Sequence, residues 1–256
     1  MAGADWDAVL SNLPAAARRP LWRRYADALN RRLLEAWLGT ESFDRALKTD
    51  AYEEALGGGV ADLLRQRARC LILADCSLWA LRQARACRPG VRAVGCDVRA
   101  LPFAGGGFDL IFSDSTLDHL PQPSDILVAL GELARVLRPG GRLILTLDNA
   151  ANPVVRLRNA LPQAWLLRAR LTPYPVGPTL GPRALERALR QVGLAPLRRG
   201  ALGHCPRLPA VLLCGLLGRG RLGRRLLRVL LAFERLESWP TRYLTGYYVA
   251  AEAVKR

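Results

Sequence analysis

Lysine is nearly missing from this 256-residue chain: Lys48 and Lys255 are the two lysines among 38 basic side chains, and arginine supplies the rest. The net charge of +16 therefore does not by itself mark a nucleic-acid binder, because an excess of Arg, Ala, Leu and Gly also follows from a GC-rich genome. Histidine is as scarce. His119 and His204 are the two in the chain, which narrows the choice of a neutral-pH base to two positions. The six cysteines, Cys70, Cys76, Cys87, Cys96, Cys205 and Cys214, contain no CxxC pair. With no His/Cys cluster either, no metal is expected, and carboxylates scattered over separate segments do not assemble an octahedral cation site. The thiols read as small core residues in a reducing compartment. The longest apolar stretch, Leu208 to Gly218, is too short for a bilayer core of ~30 Å. Met1 to Asp7 carry two aspartates and no basic-then-apolar pattern, so no secretory signal is expected. These absences point to a cytoplasmic protein, with peripheral contact at an anionic membrane left open. No internal repeat and no long linker occurs, so a single domain overall is expected.

What is present is enough apolar material for a full core, at 50% of residues, and a lopsided charge. Residues 1 to 150 hold 19 basic and 18 acidic side chains, whereas 151 to 256 hold 19 basic and 4 acidic. A C-terminal face of that kind attracts phosphates, anionic headgroups or an acidic substrate, more weakly as salt rises. A merely solvated basic surface is the plain alternative.

Residues 5 to 39 place Leu21, Trp22, Tyr25, Leu29, Leu33, Leu34 and Trp37 at helical spacing with Gly39 as a stop, which predicts two helices forming an N-terminal cap over 1–40. Four short, near-continuous apolar runs follow: Cys70 to Ala74, Val91 to Cys96, Phe108 to Phe112 and Arg142 to Leu147. They have the pattern of parallel strands buried on both faces. Helical stretches lie between them, at Val60 to Arg69, Leu78 to Cys87 and Ser124 to Leu137, the last stopped by Pro139-Gly140-Gly141. This alternation predicts an α/β fold with a Rossmann-like, doubly wound, mostly parallel sheet, its core half spanning 41–150. Residues 151–256 read as the completion of the sheet with substrate-side helices: a helix at Pro182 to Val192, strands at Leu194 to Ala201 and Tyr247 to Val254, and a helical insertion before the last strand.

In such sheets ligands bind beyond the carboxyl ends of the strands, and an acid or small polar group stands at each: Asp75, Asp97 and Ser113-Asp114. An acid closing the second strand can accept from both ribose hydroxyls of a nucleotide. One closing the third can accept from an adenine amino group while Val98, Leu101 and Phe103 pack on the ring.

Three longer motifs occur in order: Gly95-Cys-Asp-Val-Arg-Ala-Leu-Pro-Phe103, Gly107-Phe-Asp-Leu-Ile-Phe-Ser-Asp-Ser-Thr-Leu-Asp-His119 and Leu133-Ala-Arg-Val-Leu-Arg-Pro-Gly-Gly-Arg142. Together, over about residues 44 to 148, they resemble class I S-adenosylmethionine-dependent methyltransferases, in particular those acting on small molecules and lipids. The resemblance implies S-adenosylmethionine as cofactor, Asp75 with Cys76 beside it as the ribose-binding acid, Asp97 with Val98 as the adenine-binding pair, and Ser113 beside the methionine part. The first motif departs from the family, which has a strand ending in an acid followed by spaced glycines. Here Arg45 to Asp50 reads as the strand, and Glu53 or Glu54 precedes Gly57-Gly58-Gly59. Asp50 and Glu54 are expected near the methionine amino end, with Gly57 and Gly58 giving the backbone close approach to the cofactor.

An activated methyl group needs alignment and exclusion of water more than a catalytic triad, but a hydroxyl or phenol acceptor needs a base. His119 is the candidate, either as that base or as a positioning residue. Asp118, Tyr174 in its Pro-rich loop and His204 are candidates for the substrate pocket, with backbone-satisfied or packed side chains as the plainer reading. No Asn/Asp-Pro-Pro-aromatic sequence follows the fourth strand, which disfavours nucleic acid as acceptor. Leu222, Leu226, Leu227 and Leu230 oppose a stripe of Arg221, Arg224, Arg225 and Arg228, the composition of either a membrane-surface helix or a packed cap helix. The expected function is methyl transfer to a small-molecule or lipid-like acceptor. The rivals are a dinucleotide-dependent oxidoreductase, disfavoured because no GxGxxG precedes Asp75, and a catalytically degenerate relative that binds anionic lipid or nucleic acid through its basic C-terminal face.

Overall fold

Seven strands form one sheet in the order β3-β2-β1-β4-β5-β7-β6. They are β1 (Phe43–Thr49), β2 (Ala68–Asp75), β3 (Arg92–Gly95), β4 (Phe108–Asp114), β5 (Leu137–Asp148), β6 (Leu194–Leu202) and β7 (Tyr248–Lys255). The structure, a computed structural model, describes residues 5–13, 20–169, 172, 174–218 and 220–256. Residues 1–4 and 14–19 of the expected cap, and Pro173 of the expected Pro-rich loop, lie outside the described residues. All pairings are parallel except those of β7 with β5 and β6. The chain runs outward from β1 through β2 to β3, then crosses back to β4. The carboxyl ends of β1 and β4 therefore flank the point where strand order reverses, with Thr49 opposite Ser113.

The helices are α1 (Trp6–Ser11), α2 (Pro20–Leu38), α3 (Tyr52–Ala55), α4 (Ala61–Arg67), α5 (Leu78–Cys87), α6 (Pro123–Val136), α7 (Pro153–Ala160), α8 (Gln163–Arg168), α9 (Pro182–Gln191), α10 (Arg207–Leu217), α11 (Gly220–Ala232) and α12 (Arg242–Thr245). Local chemistry sets several of their starts. The Ser77 hydroxyl accepts from the Ala80 N–H at α5, and the Asn152 side chain accepts from two N–H groups at α7. Helix α6 ends at Val136, before Pro139, because Leu137 already pairs with Phe108.

Alternate residues of each central strand enter opposite cores, so both faces are apolar. Leu47, Ile111, Leu143 and Leu145 meet Ile126, Leu130 and Leu133 of α6 and Leu185 and Leu189 of α9. Ala46, Leu110, Phe112 and Ile144 meet Leu33 and Leu34 of α2, Leu64 of α4 and Leu81 of α5. A third cluster lies outside the sheet: Leu21, Tyr25 and Leu29 of α2 pack against Ala210 and Cys214 of α10 and Leu230 of α11. The Tyr25 hydroxyl donates to Glu234 at 2.6 Å and ties the two ends of the chain together.

Most of the apolar face of α11 is thus occupied by packing, with Leu226, Leu227 and Leu230 in this third cluster, whereas Leu222 is 58% accessible and Arg221, Arg224, Arg225 and Arg228 are exposed. That is the packed-cap arrangement. Helix α10 is more open, with Leu212 and Leu216 61% and 81% accessible. All six cysteines are free thiols; Cys205 and Cys214 are buried, but Cys76 and Cys87 are exposed rather than core residues. No helix among the described residues is long and apolar enough to cross a membrane.

Candidate active site

A cavity of about 1690 Å³ opens over the carboxyl ends of β1, β2 and β4. The α1 and α2 side chains Trp6, Leu10, Trp22, Arg23 and Leu29 roof it, together with Leu166, Arg207, Leu208 and Val211 from the C-terminal third.

At the end of β1, Asp50 adopts φ +72°, a left-handed conformation that glycine takes most easily. Its backbone N–H continues the ladder to the Ala74 carbonyl, and its carboxylate accepts from the Tyr52 N–H at 2.7 Å. Asp75 closes β2 and clasps both neighbouring turns, accepting from Ala51 N–H at 2.7 Å and from Ser77 N–H at 2.8 Å. At the end of β4, Asp114 accepts from Asn30 of α2 at 2.6 Å and from the Thr146 hydroxyl at 2.8 Å. All three carboxylates face the cavity, and burial raises each of them above the usual carboxylate range. Such a set favours a ligand that brings hydroxyls and positive charge. Asp97 differs: hydrogen bonds from the Arg99 side chain hold its carboxyl below that range. Cys76, Val98 and Leu101 complete this end of the wall.

Other expected residues lie elsewhere. Glu54 is fully buried and does not reach the cavity. It pairs with the equally buried Lys48 at 2.9 Å and accepts from the N–H groups of Val60 and Ala61 at the start of α4. Glu53 lines the cavity instead, bound to Arg23 of α2 at 2.7 Å, and burial pushes its carboxyl up to about 7. Gly57 and Gly58 lie off the cavity wall. A Cβ on Gly58 would meet the Asp27 carboxylate at 2.6 Å, so this glycine makes room for α2. Ser113 is buried between β1 and β4, accepting from Thr49 at 2.9 Å, and its successor Asp114 takes the cavity position.

His119 lines the cavity and stands edge-on to Trp6 and Tyr174, both 5.2 Å away between centroids. Its Nδ1 lies 3.1 Å from the Pro175 carbonyl oxygen. A carbonyl only accepts, so the neutral ring carries its proton on Nδ1 and presents Nε2 as the open acceptor. Tyr174 lines the cavity beside it. Asp118 does not: one of its oxygens accepts from the Ser115 hydroxyl and the Asp148 N–H, both at 2.9 Å, tying the β4 loop to β5. His204 is also outside, at 4% exposure, with Nδ1 2.8 Å from the Thr245 hydroxyl and Nε2 donating to the Ala201 carbonyl at 3.2 Å.

Sequence reasoning missed the cavity residues Trp6, Trp22 and Arg207. Their helices were legible as caps, but no spacing joins positions 6, 22 and 207. Among the described residues no group of three or more His, Cys, Asp or Glu is placed to hold a metal ion.

A family model described as a methyltransferase domain matches residues 55–145. The demethylmenaquinone methyltransferase of Beutenbergia cavernae is 30% identical over 184 residues, 69% of this chain and 69% of that protein. The malonyl-[acyl-carrier protein] O-methyltransferase of Enterobacter lignolyticus is 33% identical over 57% of this chain and 51% of its own length. The chain spans about half the length of several curated relatives that it matches. Among solved structures, the N-methyltransferase NodS from Bradyrhizobium japonicum, in complex with S-adenosyl-L-homocysteine, shares the fold with a TM-score of 0.59 at 14% identity, over 98% of this chain and 99% of that one. With this sheet order, these strand ends and that extent of similarity, the chain belongs to the class I S-adenosylmethionine-dependent methyltransferases.

Proposed function

We propose that the protein transfers the methyl group of S-adenosylmethionine to a small-molecule or lipid-like acceptor held beneath the α1, α2 and α10 roof. The observation that carries this reading is the row of carboxylates Asp50, Asp75 and Asp114 on one cavity wall, with Val98 and Leu101 beside them. Asp75 is suited to the ribose hydroxyls and the Asp97–Val98 segment to the adenine. Asp50 and Asp114 suit the positively charged methionine end. The cofactor would supply a methyl group already activated on sulfur. The chain's own task is to align the acceptor and keep water out. For a hydroxyl acceptor, Nε2 of His119 is the proton acceptor. Calorimetric titration with S-adenosylmethionine, S-adenosylhomocysteine and NAD tests this. Micromolar binding of the two sulfur compounds and none of NAD is expected; silence from the sulfur compounds sinks it.

A lipid-like acceptor met at an anionic membrane is favoured by α10. Its exposed Leu212 and Leu216 adjoin Leu208 and Val211 of the cavity roof, and residues 151–256 carry the basic excess. Cosedimentation with phosphatidylglycerol vesicles but not with phosphatidylcholine vesicles is expected. Equal recovery with both removes this second reading.

A further inference from the structure

The arginines of the cavity wall fall into two groups. Arg23 is paired with Glu53 at 2.7 Å, Arg99 with Asp97 at 2.6 Å and Asp125 at 3.2 Å, and Arg158 with Asp148 at 2.5 Å. Arg207 has no carboxylate within ion-pair distance among the described residues. Its surroundings are aromatic. The guanidinium carbon lies 4.1 Å from the Tyr247 ring centroid, 5.3 Å from that of Trp22 and 5.8 Å from that of Tyr248, and Nη1 donates to the Tyr248 hydroxyl at 2.6 Å. Asp148, whose charge also acts on Arg207, is already bound by Arg158.

Three rings hold the guanidinium plane in place without cancelling its charge, and one hydroxyl occupies one of its five N–H donors. A cation taken from water is costly to leave without a counter-charge. The apolar side chains that line the cavity with it, among them Trp22, Leu29, Leu166, Leu208 and Val211, supply none. The acids Asp50, Asp75 and Asp114 are committed to the strand ends. The cavity is therefore polarised, with carboxylates at the sheet and, in the roof, a guanidinium that lacks an ion pair of its own among the described residues.

We propose that Arg207 is an anion subsite of the acceptor pocket, and that the acceptor is an amphiphile with an apolar body and a carboxylate or phosphate end. A planar fork of N–H donors matches both groups. This inference rests on the methyl-transfer reading of the same cavity. The anion end docks at Arg207 rather than at Asp50, Asp75 and Asp114, so the substrate enters in one orientation.

Decanoate, decyl phosphate and decan-1-ol, titrated into protein saturated with S-adenosylhomocysteine, test the proposal. At least one anion should bind roughly tenfold or more tightly than the alcohol of the same chain length. Arg207→Gln should bring that ratio to within about twofold, while Arg207→Lys, which keeps the charge and loses the fork, should retain part of it. A purely structural arginine would weaken all three ligands together and leave the ratio untouched. Equal binding of alcohol and anions by the unaltered protein, or an unchanged ratio in Arg207→Gln, overturns the subsite. If Arg207→Gln does not fold, the unaltered protein and Arg207→Lys still supply the ratio. S-Adenosylhomocysteine affinity is measured first and independently. Its absence would count against the methyl-transfer reading, and the ratio measured without it would still judge Arg207.

Discussion

The Lys48 ammonium lies 2.9 Å from a Glu54 oxygen, and neither side chain is accessible to solvent. Lys48 also donates to the Asp50 carbonyl at 2.5 Å, so this ion pair fixes the turn that carries Asp50 to the cavity. Removing the cation strands a buried carboxylate. Lys48→Met should lower unfolding free energy by about 3–5 kcal/mol in urea titrations. Lys48→Met/Glu54→Leu should lose less than the sum of the two single changes, because the two sites are coupled.

Glu53 gives a pH signature. Its folded-state value of about 7 exceeds the roughly 4.3 of an unfolded chain, so between these values the folded protein binds a proton that the unfolded one has released. Its contribution to stability therefore falls as pH rises through that window and is lowest above it. Thermal melts at about pH 5 and about pH 8 should show a shallower drop for Glu53→Gln than for the unaltered protein. An identical drop would mean that Glu53 is ionised throughout.

Asp75 carries two structural hydrogen bonds besides its expected role at the ribose. Asp75→Ala should weaken S-adenosylhomocysteine binding by roughly 1–3 kcal/mol in calorimetry. Unchanged affinity would move the cofactor site elsewhere.

His119 has its Nδ1 anchored, so exchanging the ring tests chemistry more than folding. With a hydroxyl acceptor, His119→Gln should reduce kcat by about a hundredfold or more. S-Adenosylhomocysteine affinity should stay within about twofold. Loss of affinity without loss of kcat would make His119 a positioning residue.

Gly177 sets that anchor. Its N–H donates to the Asp118 carbonyl at 2.7 Å, and an added Cβ would overlap the Leu120 carbonyl oxygen. Gly177→Ala should lift Tyr174 and Pro175 from His119, alter the near-ultraviolet circular dichroism of the Trp6–His119–Tyr174 cluster, and cut turnover by roughly tenfold or more. An unchanged spectrum would show that the loop absorbs the methyl group.

The sheet was legible because its central strands are buried on both faces, which asks for near-continuous apolar runs such as Leu71–Ala74 and Leu110–Phe112. Strand-end acids were legible for the same reason, since Asp75 and Asp114 interrupt those runs where the chain leaves the core. What sequence spacing could not show was which neighbour each polar group meets. Glu54 and Glu53 are adjacent, yet one is buried against Lys48 and the other faces the cavity against Arg23. The same uncertainty covers His204, enclosed by Thr245 and Ala201, and Arg207, whose ring partners come from positions 22, 247 and 248.

Strand β7 follows β6 in sequence but lies between β5 and β6 in the sheet. Until residues 248–255 leave the ribosome, β5 has an unpaired outer edge and β6 has no neighbour. A half-made chain thus exposes a row of free N–H and C=O groups along β5, the arrangement that templates association between chains. Interrupted synthesis or loss of this final strand would therefore endanger solubility before it affected catalysis.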